Sequence, residues 1–306
     1  AGTTVLLTLG TLVWIQVSRP SAPSHPTQTH LAGHLIPLTG NAQVRRGPMS
    51  FSLRQPFAAL LGDELVLTAT DIVQLLTGQG LTNLAGPLRL RLTDAVAPTI
   101  VPSAPQDQAE RQMRTALFET PDRIRTAGLL LATRSGSPVP LYSPRTATAN
   151  PTPLIWWKGR PDGKYDVTIT DELQPGTPAL RLRAVAPPVD FGQAWPGRAL
   201  TPGGLYRVIV RESGDALAVA EHTFMTLPHR SASLSEDPPT RLVRALAQLS
   251  TDPPCVGDAL VDLHALPPPW ADSPLAIRLR LLAYGQLGLA DDFEEAAARL
   301  EAGTNP

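Results

Sequence analysis

The residue types that most often carry chemistry are few here, and their spacing forms no reactive set. Cys255 is the only cysteine, which excludes an intrachain disulfide, a cysteine-based zinc site and an iron–sulfur cluster held by this chain alone. His222 and His229 stand seven apart with no His-Glu-x-x-His pattern, so they read as orphan histidines. His25, His30 and His34 lie in a Pro-rich stretch without a neighbouring acid and read as solvated linker. The acids Asp291, Asp292, Glu294 and Glu295 lack the glycine and alternating ligands of a calcium loop; they sit where a helix begins and complement its dipole. Gly78-Gln79-Gly80 lacks the third glycine of a dinucleotide loop and reads as a hairpin turn. Ser135-Gly136-Ser137 forms no nucleophile elbow, and Cys255 with His264 nine residues on matches no known motif, so Cys255 reads as a small buried hydrophobe. Asp63 and Glu64, adjacent on a strand, would point to opposite faces. No catalytic, cofactor or metal residue is assigned, and the chain is expected not to be an enzyme.

The aromatic residues offer contacts instead. Trp156 and Trp157 are neighbours, so on a strand one enters the core and the other faces outward. Trp157, Trp195, Trp270 and Trp14 are the candidate partner-binding residues, because exposed tryptophan is enriched at interface hot spots. Burial under a neighbouring loop is the alternative for Trp157, Trp195 and Trp270.

These residues must be positioned by a chain of 306 residues, long enough for two or three domains. Its net charge of −1 provides no basic excess for nucleic acid. The 33 prolines, about twice the ordinary share, indicate a folded chain with many stiff connectors. Residues 1 to 17 carry no charged side chain and would span about 26 Å as a helix. With Trp14 near its end and Arg19-Pro20 after it, this run reads as a transmembrane anchor over 1–18. An uncleaved signal segment or a buried helix is the alternative. Residues 19–34 then read as a Pro-rich tether.

From 35 to 95, short alternating runs (42–45, 51–54, 65–68, 72–76 and 88–92) separated by Gly40-Asn41, Gly62-Asp63 and Gly78-Gln79-Gly80 predict a small antiparallel β domain. Leu38-Thr39-Gly40-Asn41-Ala42-Gln43-Val44-Arg45, Leu61-Gly62-Asp63-Glu64-Leu65 and Val73-Gln74-Leu75-Leu76 together resemble the FecR-type β domain of bacterial envelope proteins. The resemblance covers about sixty residues and implies no iron signalling. Residues 96–138 read as a connector holding one short helix over 106–119 and a strand near 129–132.

Residues 139–228 carry strand-like runs near 143–146, 153–156, 165–169, 200–210 and 218–227, the pattern of a sandwich. Pro202-Gly203 before Tyr206 suits a corner whose tyrosine opens a central strand. The order Ser143-Pro144-Arg145, Pro153-Leu154-Ile155-Trp156, Tyr165-Asp166-Val167, Leu200-Thr201-Pro202-Gly203-Gly204-Leu205-Tyr206 resembles fibronectin type III-like and immunoglobulin-like modules of bacterial envelope proteins. Residues 229–306 turn helical, with proline clusters at 253–254 and 267–269 dividing four short helices into two hairpins. The run from Ala276 to Leu289 and the acidic-start helix after it resemble a tetratricopeptide-like hairpin, and one or two such hairpins suit a docking unit.

The fold expected is therefore mainly β with α: an N-terminal transmembrane helix, a small antiparallel β domain, an immunoglobulin/fibronectin-like sandwich and C-terminal helical hairpins. The function expected is a non-enzymatic, membrane-anchored scaffold or accessory subunit of a bacterial membrane complex, with the bulk of the chain on the periplasmic or extracytoplasmic side. Its partners would be the lipid bilayer through residues 1–17 and other subunits, with no nucleic acid and no cofactor. Connectors of this kind order most easily along partner subunits, as in a photosynthetic reaction centre or a respiratory assembly. An envelope sensor or a cell-wall glycan-binding protein is the alternative.

Overall fold

The computed structural model describes residues 31–93 and 139–304, apart from 79, 175, 177, 178 and 229–235. The expected anchor, most of the tether, the connector over 96–138 with its helix and strand, and His229 lie outside the described residues. The described chain is mainly β with α. None of its helices is long and apolar enough to cross a membrane.

The first β unit packs two four-stranded antiparallel sheets face to face. β1 (Leu31–Thr39), β4 (Phe57–Leu60), β6 (Ile72–Leu76) and β7 (Leu81–Ala85) form one, in the order β4-β1-β6-β7. β2 (Gln43–Arg46), β3 (Met49–Ser52), β5 (Glu64–Leu67) and β8 (Leu88–Arg91) form the other, in the order β3-β2-β5-β8. Their inward residues, among them Leu35, Val44, Ala59, Leu65, Val73 and Leu75, close one core. Two aspartates pin its turns. Asp63 accepts a fork of bonds from Arg46, at 2.9 and 2.8 Å, and the Leu60 amide. Asp71 accepts the amides of Asn41 and Thr68. Gly40, at φ +84°, leaves room for that second carboxylate: a Cβ there would sit 1.8 Å from Asp71 Oδ1. Gly80 and Thr77 exchange backbone bonds between β6 and β7, as a hairpin turn requires.

The tether ends earlier than the composition implied. Residues 31–34 belong to β1, and His34, read from sequence as solvated, is 1% exposed. β1 is buried on both faces, so it shows no polar alternation. Pro37 is accommodated where the β1–β6 register shifts.

The second β unit is a sandwich. β10 (Thr146–Thr148), β16 (Ala218–Thr226), β15 (Leu205–Glu212), β12 (Tyr165–Asp171) and β13 (Leu180–Val185) form a five-stranded sheet. β14 (Val189–Asp190), β11 (Leu154–Trp157) and β9 (Leu141–Ser143) form a three-stranded one, followed by the one-turn helix α1 (Phe191–Ala194). The core between the sheets holds Ile155, Trp157, Val167, Phe191, Val208 and Phe224. Two tyrosines brace the strand starts. The Tyr206 hydroxyl accepts the Thr201 amide at 2.9 Å, and the Tyr165 hydroxyl accepts the Arg160 amide at 2.8 Å. Glycines fit beneath both rings, since a Cβ at Gly204 or Gly163 would lie 2.5 or 2.6 Å from ring carbons.

Beyond the sandwich the described residues form helices α2 (Pro238–Leu249), α3 (Val256–His264), α4 (Pro274–Leu287) and α5 (Ala290–Thr304). Asp237 and Ser273 cap α2 and α4, each followed by a proline at the first helical position. Gly288 ends α4 in the left-handed conformation, φ 68°, and turns the chain into α5. Leu275, Leu279, Leu282 and Leu287 are all buried. The core of this layer is not closed by helices alone: Ile36 and Leu76 enter it from the first β unit, and Tyr142 from the sandwich.

Candidate functional site

Helix α3 joins the helical layer to the sandwich, while α2 and α4 touch β1 and β4 of the first unit. Its residues from Val256 to Leu260 are all buried, because α2 and α4 cover one side and β9 and β10 the other. Gly257 makes the approach to the sheet possible. A Cβ there would stand 2.9 Å from the Tyr142 carbonyl oxygen and 3.0 Å from Ser143 Cα, both backbone atoms that cannot swing aside.

At the N-terminal end of α3, Asp258 reaches the sandwich. Both its carboxylate oxygens lie 2.9 Å from the Thr148 hydroxyl, and the Ala149 amide donates to Oδ2 at 2.9 Å. Burial pushes this carboxyl up to about 6, against the pull of the Thr148 and Ala149 bonds. One turn on, Asp262 accepts a two-pronged contact from Arg244 of α2, at 2.7 and 2.5 Å. The preceding Cys255 is fully buried, and burial followed by the Asp258 charge raises its thiol to about 11. It is packing, not a poised nucleophile.

At the C-terminal end of α3 an aromatic and ionic cluster joins sandwich to hairpin. Trp156 of β11 lies tilted against Tyr142 of β9, ring centres 4.5 Å apart, and stands edge-on at 4.7 Å to His264. His264 Nε2 lies 2.7 Å from the Tyr284 hydroxyl of α4. Tyr142 donates to Asp292 of α5 at 3.2 Å, and Lys158 stands 3.7 Å from the same carboxylate. Burial, then the Arg280 and Arg299 charges, lower His264 to about 4, although its outer edge meets solvent. Burial, with Asp292 adding to it, raises Tyr284 to about 12. A cavity of about 40 Å³ lies beside the cluster among Arg280, Asp292, Glu295 and Arg299. That is room for water, not for a substrate. The chemistry available here is hydrogen bonding and packing across a joint.

The sequence candidates fall as follows. Trp157, proposed as an outward contact, is 1% exposed and lies in the sandwich core edge-on to Tyr165. Its neighbour Trp156 faces the other way and is covered by the helices. Trp270, left available to a neighbour by the sequence reading, is 9% exposed and belongs to the helical core. Trp195 is half-buried, tilted against Phe191 at 4.9 Å. Trp14 lies outside the described residues. The chain's own helices cover Trp156 and Trp270, and the sandwich covers Trp157. His222 points inward from β16, lowered to about 4 by burial and the Arg145 charge. Among the described residues no group of three histidine, cysteine or acidic side chains could hold a metal ion. No protein-family model matches the chain, and no curated protein matches it either.

A second surface has a different character. On the sheet β3-β2-β5-β8, Val44, Leu65 and Leu67 point into the core, so Arg45, Glu64, Arg89 and Arg91 point away from it. Arg45 and Arg89 lie 4.0 and 3.4 Å from Glu64.

Proposed function

We propose that the chain is a non-enzymatic scaffold or accessory subunit of a bacterial membrane complex, anchored through residues 1–17 and facing the extracytoplasmic side. In this reading the first β unit is FecR-like, the sandwich is immunoglobulin/fibronectin-like, and the helical hairpins are tetratricopeptide-like. One observation carries it: the helical layer takes Ile36 and Leu76 from one β unit and Tyr142 from the other into a single core. A protein built to hold two β modules at a fixed separation needs such a joint; an independent docking tail would bury its apolar seam within itself. The charge-free run and the Pro-rich stretch that precede β1 supply an attachment and a short reach.

The test is purification of the intact chain from native membranes in mild detergent. Other subunits in constant ratio are expected to accompany it. Recovery as a lone polypeptide that is retained on cell-wall material would overturn the scaffold in favour of a glycan-binding envelope protein.

A further inference from the structure

We propose that the outer face of the β3-β2-β5-β8 sheet docks on anionic phospholipid headgroups. This deepens the membrane-anchored reading and rests on it. The register aligns Ser50, Arg45, Glu64 and Arg91 in one row across the four strands, and places Arg89 beside Val66 in the next. Three guanidinium groups therefore share one rigid face with a single carboxylate. Arg45 and Arg89 are 45% and 63% exposed, and Arg91 is exposed as well. Glu64 is shared by Arg45 and Arg89, and Arg91 makes no ion pair among the described residues. The whole chain is nearly neutral, at −1, so this face is a local cationic excess.

Its position points to the bilayer. The opposite sheet of the same unit is covered by the helices, which bury Ile36 and Leu76, so the arginine face is the open one of the two. Residues 18 to 30 can reach at most about 45 Å even when fully extended, which keeps this unit close to any membrane that holds residues 1–17. Arg45 and Arg91 stand two strand spacings apart, about 10 Å, so each fork can take a separate phosphodiester. Each basic group near an anionic surface strengthens attachment about fivefold, and salt weakens it.

The experiment uses the full chain in nanodiscs of phosphatidylcholine alone or with three parts in ten phosphatidylglycerol. A fluorophore on Ser52→Cys reports proximity to a headgroup quencher; Cys255 is buried and stays unlabelled. Strong quenching is expected on the anionic discs, falling to the neutral-disc level in 0.5 M salt and in the triple variant R45Q/R89Q/R91Q. The single variant R91Q, which breaks no ion pair, should weaken it about fivefold, while R181Q on β13 should leave it unchanged. Equal quenching on both lipids, indifference to salt, or wild-type quenching in the triple variant with unchanged circular dichroism would each overturn the proposal. A chain that fails to enter neutral discs defeats the anchor reading alone. Sedimentation with anionic vesicles then decides the docking: salt-sensitive binding lost in the triple variant upholds it, and no binding overturns it.

Discussion

Asp258 and His34 place two opposing pH responses in one fold. Asp258 titrates near 6 when folded against an ordinary value of 3.8, so the folded chain holds that proton more tightly than the unfolded one. The stability it confers is full below about pH 4 and is lost as pH rises towards 6, up to about 3 kcal/mol. His34 behaves in reverse: burial, with the Arg278 charge, lowers it from 6.5 to about 3. Its contribution is present above pH 6.5 and falls by about 1.4 kcal/mol for each unit of acidification below that. His222 and His264 shift the same way. Urea midpoints measured from pH 7 to pH 4 should therefore fall with acid. The fall should be steeper in Asp258→Asn, which lacks the opposing response, and shallower in His34→Leu.

The paired tryptophans differ in the same spirit. Trp157→Ala should cost about 3 to 5 kcal/mol through the cavity it leaves in the sandwich. Trp156→Ala should cost about 1 to 3 kcal/mol by a different route, the loss of its contacts with Tyr142 and His264. Chemical denaturation of the two variants separates them, since only the second should raise hydrogen exchange in α3 and α4 while sparing β12 and β15. The alternation of a strand implied that one of the two rings is inside. It could not say which, because the covering helices come from about a hundred residues further along the chain.

At the scale of elements, legibility followed periodicity. β5, β6, β8, β12 and β16 show alternating or β-branched runs between turn residues, and all lie within a residue or two of expectation, whereas β15 begins at Leu205, five residues after the expected start, because Pro202-Gly203-Gly204 forms the turn before it. β1 was partly missed because a strand covered on both faces carries His34 and Pro37 without penalty to its pattern. β13 was missed because Leu180 to Val185 follows a proline–glycine stretch and bends at Ala184, φ 53°. The site was illegible for a plainer reason: Tyr142, Trp156, His264, Tyr284 and Asp292 come from five separate elements, and no spacing links them. The tyrosine corner was legible, since Pro202-Gly203 sets the turn and Tyr206 the brace. Tyr206→Phe should lose the bond from the Thr201 amide and about 1 kcal/mol. Gly257→Ala tests the packing of α3 on β9. Overpacking against fixed backbone should cost about 1 to 3 kcal/mol, read as a lower denaturation midpoint.

For the whole molecule, the helical layer is a shared core and not an appendage. Sequence reasoning treated the helical hairpins of residues 229–306 as a docking unit. The structure instead predicts that deleting them uncovers Ile36 and Leu76 on one side and Tyr142 and Trp156 on the other. The truncated chain should bind more of a hydrophobic dye than the intact chain and aggregate at a lower temperature.

β1 enters the first unit as an inner strand, bonded to β4 on one side and β6 on the other. Tension between a held N-terminus and the far end of the molecule would run along this strand. It could not peel away one hydrogen bond at a time, as an edge strand does. Both ladders would have to slide at once, with their bonds loaded in parallel. Pulled from Leu31, the fold should yield at a single high force, with the helices and the sandwich still assembled up to that point.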